Sequence, residues 1–447
     1  MKIRLKRTQT RSCTLSSPNI NSTMLGKRPS RWKRFMNVAT ILTLKANPVL
    51  FAVIMGTGSI SNLFVAFPYG NHSRGMMIAS LALFFLNLTL FCLFAAFSLA
   101  KYTLYPESWR SLTFNPVTSL FLGTFPMGIT TLINVSVEVI NRYFGVGGKD
   151  FLYFIWSIWW IDVFISVLCC WAGVHAMIVR QQHSMSTMGA AWLLPVVTLI
   201  VASSSGGVIA NYLQEYSTGH ALNTLVFSAF LVTVGLTLAL MILTLYLGRL
   251  IIHGLPPGVG VLSVFLPLGP TGQAGYSIFL LGQNFKRILP YHNAGSSAFL
   301  GASATGEVLY VVCTCAAFIL WSLATMWMLF ALLALKSTVL KSTVAFKMSF
   351  WGLVFPNGVY ANLTIVLGNA FDSRGLRIYG AAYAVVVICV WLSIAIRSIL
   401  ALKDLIDPHN QVFEEAKGNR QTTMLSEHPS AGTSETEIAI ERGEHHA

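Results

Sequence analysis

The sequence predicts an all-α integral membrane protein, and three observations carry that prediction. Hydrophobic residues make up 54% and charged residues 10% of the 447-residue chain, where a soluble domain carries about a quarter charged residues. Apolar runs of about 20 residues, the length that crosses the hydrocarbon core, recur along it. The charges are also segregated. Residues 1–45 hold 11 Lys and Arg and no acid, whereas residues 403–447 hold 9 of the 16 Asp and Glu.

Ten apolar segments follow the N-terminal stretch, at about 48–68, 77–100, 114–140, 151–179, 190–213, 222–248, 260–282, 303–334, 345–369 and 378–402. They define a membrane domain over 46–402, between a basic tail (1–45) and an acidic tail (403–447). Both tails are polar and Ser/Thr-rich, a composition that predicts disorder. An even number of spans places both termini on one side. Lys and Arg in the connecting loops balance between the two sides, and the 11 charges of the first tail then put both termini in the cytoplasm. Asn71-His72-Ser73 is a sequon on the opposite side. "FLYFIWSIWW" opens the fourth span as an interfacial aromatic belt would.

The odd-numbered spans share a trait that the even ones lack. They read "VIMGTGSI", "GTFPMGITTL", "WLLPVVTLIVASSSGG", "FLPLGPTGQAGYS" and "VFPNGVYANL". Aligning Gly56, Pro126, Pro195, Pro267 and Pro356 gives separations of 70, 69, 72 and 89 residues, with Gly58, Gly128, Gly269 and Gly358 two positions on in four of the five. This is an internal repeat of one interrupted and one regular helix. Five such hairpins close into a ring when equivalent helices take equivalent places.

Proline removes a backbone donor and frees the carbonyl one turn earlier, and unpaired backbone groups are costly in lipid. The interrupted helices therefore belong inside, lining a central pore, with the regular helices as an outer shell. Thr57, Thr130, Thr131, Ser203, Thr271, Gln273, Asn357 and Asn362 are the polar residues expected to line that pore. Small and hydroxyl residues at such positions also serve helix packing; the fivefold recurrence favours the pore.

Charge defines what such a pore carries. The interrupted spans have no Lys or Arg at mid-depth, and their one acid, Glu138, lies near the end of the third span. Rings of acids mark cation pores; hydroxyls, amides and helix N-termini suit a loosely held anion. Asp162, His175 and Glu307 fall on regular spans and are read as paired or interfacial groups, with a proton relay as the alternative. Nucleotide-driven pumping finds no motif beyond "GVGGKD" at 145–150, which lacks the Walker Ser/Thr. No His, Cys and carboxylate cluster suggests an enzyme, no cysteine spacing suggests a metal, and the basic balance reports orientation rather than nucleic-acid binding. No cofactor is expected.

The stretches "MGTGSI", "FPMGITTL", "PLGPTGQAGYS" and "FPNGVYANL", with ten spans and kinked odd helices, resemble the tellurite-resistance/dicarboxylate transporter family, across about residues 46–402. That family includes bacterial tellurite-resistance proteins, the yeast malic acid permease and the plant slow anion channels. "LPPGVGVLSVFLPLGPTGQAGYSIFLLG" at 255–282 is most similar to its fungal sulfite efflux branch. The resemblance implies one pore per subunit of a homotrimer, plugged by a phenylalanine of the ninth span. The matching residue is Phe355, before Pro356, and Phe125 takes the equivalent place before Pro126. The fifth and seventh spans have Leu194 and Leu266 there, so this chain supplies two aromatics. The expected activity is plasma-membrane export of a small oxyanion, sulfite or bisulfite, with a C4-dicarboxylate (malate) permease as the alternative.

Overall fold

The computed structural model describes residues 39–70, 73–292, 294–340 and 346–406. Most of both tails, together with Asn71 and His72 of the sequon, lies outside the described residues. The chain divides into the units Met1–Leu42 and Thr43–Ala447, and everything below concerns the second.

Ten long helices follow one another: α1 (Phe51–Ala66), α2 (Arg74–Leu104), α3 (Thr124–Val135), α4 (Gly148–Val179), α5 (Leu194–Leu213), α6 (Thr218–His253), α7 (Leu268–Ile288), α8 (Thr305–Val339), α9 (Val354–Ala370) and α10 (Arg374–Ile406). Two short helices, Glu107–Phe114 and Ala298–Gly301, sit in connections, and there is no strand among the described residues. Among the described residues nine of the helices are long and apolar enough to cross a membrane. The tenth, α7, has 21 residues, but Pro270, Gln273, Asn284, Lys286 and Arg287 dilute its apolar character.

The even helices run to between 31 and 36 residues, longer than the sequence spans predicted. At a rise of about 1.5 Å per residue they exceed the thickness of a hydrocarbon core. Their starts are set by local chemistry: Ser73 and Ser217 cap α2 and α6 by accepting from the N–H of Met76 and His220, and Gly147, with φ of 72°, turns the chain into α4. Along most of their length one face is apolar and exposed, as with Phe164, Met241, Val312 and Ile396.

The interruption of the odd helices takes a different form from a mid-span kink. Each odd α-helix is preceded by 3-10 helix: Pro48–Leu50, Ser119–Gly123, Ala190–Leu193, Gly258–Phe265 and Met348–Leu353. Pro126, Pro195 and Pro356 sit in the first turn of the α-helix that follows, and Pro267 immediately precedes α7. Proline is tolerated at a helix start, where its missing N–H would have no partner. The break therefore lies about a quarter of the way along the segment, where tight 3-10 winding gives way to α. In α1 the junction falls at Phe51, so Gly56 lies deeper than the prolines and Val53 takes the place they occupy in α3 and α9.

Side-chain donors bind backbone carbonyls around these junctions. Thr198 Oγ1 donates to Pro195 O and Thr271 Oγ1 to Pro267 O, each at 2.7 Å, and Asn357 Nδ2 to Leu353 O at 2.6 Å. Thr124 Oγ1 reaches both Phe121 O and Pro48 O, at 2.7 and 3.0 Å, tying the junction of α3 to that of α1.

Each odd helix packs on the even helix after it, and odd helices pack on each other as α1–α3, α3–α5, α5–α7, α7–α9 and α9–α1. The largest apolar cluster gathers around α5, where Val196, Leu199, Ile200 and Ala202 are sealed from solvent. Indole N–H groups join even to odd helices. Trp159 donates to Ala202 O at 2.9 Å, Trp321 to Thr364 Oγ1 at 2.9 Å and Trp391 to Thr57 Oγ1 at 3.2 Å.

Candidate functional site: two cavities that meet at Phe355

Two cavities open between the odd helices. The wider, about 480 Å³, lies toward their C-terminal ends and is walled by all five, with Met77 of α2 at its side. The other, about 340 Å³, lies at the 3-10 lead-ins and first turns, again with a contribution from each of the five. Among the described residues, Phe355 is the one that lines both. It is 4% exposed and sits at the first turn of α9, next to Pro356.

The two walls differ in chemistry. The narrower cavity is apolar, with Phe121, Met127, Val197, Leu262 and Leu266 on its surface and Lys347 as its one charged residue among those described. The wider one presents Thr130, Thr131, Gln273 and Asn362, all expected from sequence, together with Asn62, Asn134 and Tyr276. Asn62, Asn134 and Asn362 each have a buried amide oxygen with no hydrogen-bond partner. Such a group costs about 1–3 kcal/mol when left unpaired; the oxygens themselves are sealed from the cavity space, while the residues they belong to line it. Gln273 Nε2 donates to Ser204 Oγ at 2.5 Å, which fixes its amide against α5.

The other expected lining residues face their neighbours. Thr57 accepts from Trp391 of α10. Ser203 donates to Ser228 O of α6 at 2.6 Å and pairs with Ser277 Oγ of α7 at 2.7 Å. Thr271 bonds the carbonyl of Pro267, and Asn357 accepts from Tyr383 of α10 at 2.5 Å. Gly56, Gly58 and Gly128 allow odd helices to touch. A Cβ on them would lie 3.2 Å from Val354 Cβ, 2.0 Å from Thr131 Oγ1 and 3.1 Å from Ile54 Cγ2, respectively. Gly269 and Pro356 line the narrower cavity and Gly358 the wider one. Pro126, Pro195 and Pro267 line neither; Pro195 lies against α4, 3.2 Å from where a Cβ on Gly173 would be.

Phe125 is separated from Phe355. Its ring packs edge-on against Phe51 at 5.0 Å and stacks on Phe91 of α2 at 5.5 Å, and it borders neither cavity. Thr124 takes the cavity side instead. The lining of α3 is Thr124, Met127, Thr130, Thr131 and Asn134, and that of α9 includes Phe355, Pro356, Gly358, Asn362 and Asn369. Aligned at their prolines, the two helices turn different faces to the cavities, and Phe125 packs on α2.

Asp162, His175 and Glu307 do not assemble. Asp162 is fully buried on α4 with neither carboxyl oxygen hydrogen-bonded, His175 is exposed, and Glu307 pairs with Lys286 at 3.0 Å at an exposed position. Sequence reasoning missed Asn62, Asn134, Tyr212, Tyr276 and Asn369. Their signal is helical spacing: Asn62 follows Ser59 by three, Asn134 follows Thr131 by three and Asn369 follows Asn362 by seven, one stripe on each helix. Among the described residues no His, Cys, Asp and Glu group could hold a metal.

Comparison with known proteins identifies the family. Residues 45–399 match the family model described as SLAC1, voltage-dependent anion channel. The sulfite efflux pump SSU1 of Trichophyton rubrum is 35% identical over 346 residues, covering 77% of this chain and 88% of the relative. SSU1 of Saccharomyces cerevisiae is 23% identical across 90% of this chain and 95% of the relative. The malic acid transport protein of Schizosaccharomyces pombe is 24% identical across 76% and 75%. The resemblance thus holds over residues 45–399, and the chain belongs to the voltage-dependent anion channel family.

Proposed function

We propose that this protein exports sulfite or bisulfite across the plasma membrane through a central pore, with Phe355 as its gate. The observation that carries the reading is that Phe355 alone, among the described residues, borders both cavities. A bulky apolar ring at an apolar constriction blocks a pore by bulk and by excluding water. The cyclic packing of α1, α3, α5, α7 and α9 supports five hairpins arranged as a ring, odd helices inside.

Selection for an anion follows from what surrounds the constriction. Five α-helices begin at that level, with the positive ends of their peptide dipoles toward it; the 3-10 lead-ins take up part of their first-turn N–H groups, so the attraction is mild. Beyond the ring, amides and hydroxyls replace hydration without a fixed positive charge that would trap the ion. Both termini lie in the cytoplasm in this reading, so the narrower cavity takes the anion from inside and the wider one releases it. Assembly as a homotrimer, one pore per subunit, goes with the same reading.

Malate is the second candidate because a malic acid transport protein is a relative. A dicarboxylate calls for paired guanidinium groups, and the wider cavity has one, Arg142, already bound to Glu215 at 3.1 Å. The test is efflux of sulfite and of malate, run in parallel from proteoliposomes containing the purified full chain. Sulfite flux well above malate flux supports the proposal; malate flux without sulfite flux refutes it.

A further inference from the structure

The wider cavity contains a charge that an anion path does not need. Glu138 lies on its wall, on the π-helical stretch Ser136–Tyr143 that follows α3. A π-turn inserts a residue into the helix and re-aims the side chains that follow, and such turns cluster at functional sites. One turn on, Arg142 lines the same cavity, but its guanidinium is held 3.1 Å from Glu215 and 5.6 Å over the Tyr212 ring. Its charge is matched outside the cavity wall. Glu138 has no ion pair and no hydrogen bond among the described residues. The other polar groups around it, Asn62, Asn134, Tyr212, Tyr276 and Asn362, are uncharged.

We infer that Glu138 is a charge filter of the wider cavity, passing monoanions and turning back dianions. The inference rests on the anion-transport reading above and adds to it the form of the substrate: bisulfite rather than sulfite dianion, and no doubly charged carboxylate. One uncompensated carboxylate repels a dianion with twice the energy it applies to a monoanion at the same distance. The polar amides soften the repulsion for a single charge, and no second positive group offsets it for two.

The test uses proteoliposomes of the full chain at about pH 9, to favour the ionised carboxylate, with chloride as the monoanion and sulfate as the dianion. Glu138→Gln is expected to raise the sulfate-to-chloride flux ratio about five-fold, the effect of one unit charge several ångströms away at an intermediate dielectric. Glu138→Asp keeps the native ratio. Glu215→Gln, which releases the charge of Arg142 into the cavity, also raises it. A Glu138→Gln chain that carries chloride with an unchanged ratio overturns the inference while leaving anion transport intact. A native chain that carries neither anion overturns the filter, and the sulfite assay above decides the transport reading separately.

Discussion

The odd and even helices are both apolar enough to be read as membrane spans, yet the structure treats them in opposite ways. In the most apolar stretch of α5 every residue is buried, and in that of α10 only 11% are. The odd α-helices have 12 to 21 residues behind a 3-10 lead-in; the even ones run on regularly for 31 or more. Hydropathy therefore marks what can enter a bilayer, and backbone interruption marks what must be hidden from it. Irregular backbone at membrane depth is tolerated where protein or water covers it, and the odd helices are where the cavities are.

Glycine substitutions draw this contrast most sharply. A Cβ on Gly58 of α1 would sit 2.0 Å from Thr131 Oγ1 and 2.4 Å from its Cβ, whereas one on Gly248 of α6 would meet nothing within 4 Å. Gly58→Ala is expected to destabilise the fold by about 3 kcal/mol through overpacking. Gly248→Ala is expected to be neutral or stabilising by up to about 1 kcal/mol, since alanine is the better helix former. Thermal unfolding in detergent checks both; equal effects would erase the inner and outer distinction.

Truncation should follow the same division with a smaller amplitude. Leu199 of α5 is fully buried and Met241 of α6 is 65% exposed. Leu199→Ala is expected to cost about 2–4 kcal/mol, a cavity in a packed interior. Met241→Ala, on a face toward lipid, is expected to change stability by less than about 0.5 kcal/mol. The same unfolding measurement decides.

The indole bonds between the shells come last. Thr364→Val removes the acceptor of Trp321, 2.9 Å away, while keeping the shape, and is expected to cost about 0.6–1.5 kcal/mol, the range for hydrogen bonds between membrane helices. No change on unfolding would show that shape alone joins the shells.

The membrane class, and the contrast between buried interrupted helices and exposed regular ones, were legible because each rests on a property one residue carries by itself. Pro126, Pro195, Pro267 and Pro356 mark helix starts wherever they occur, and the repeat found α7 although its own composition is too polar to stand with the other nine. What was not legible was rotation. Phe125-Pro126 and Phe355-Pro356 read alike, but the two helices turn different faces inward, so the first ring packs on α2 and the second lines both cavities. The same ambiguity separates Thr130, Thr131, Gln273 and Asn362 on the wider wall from Thr57, Ser203, Thr271 and Asn357 in helix contacts. Residue type shows that a group needs a partner; only packing shows whether the partner is a neighbouring helix or the contents of a cavity.

The central claim is that the two cavities are one pathway interrupted by Phe355. Its most direct test is sulfite flux through Phe355→Ala in proteoliposomes against the native chain, with unfolding followed to confirm that the variant is folded. Removal of the block is expected to raise flux about ten-fold, equivalent to lowering the barrier by about 1.4 kcal/mol. A folded variant with native or lower flux would contradict the account.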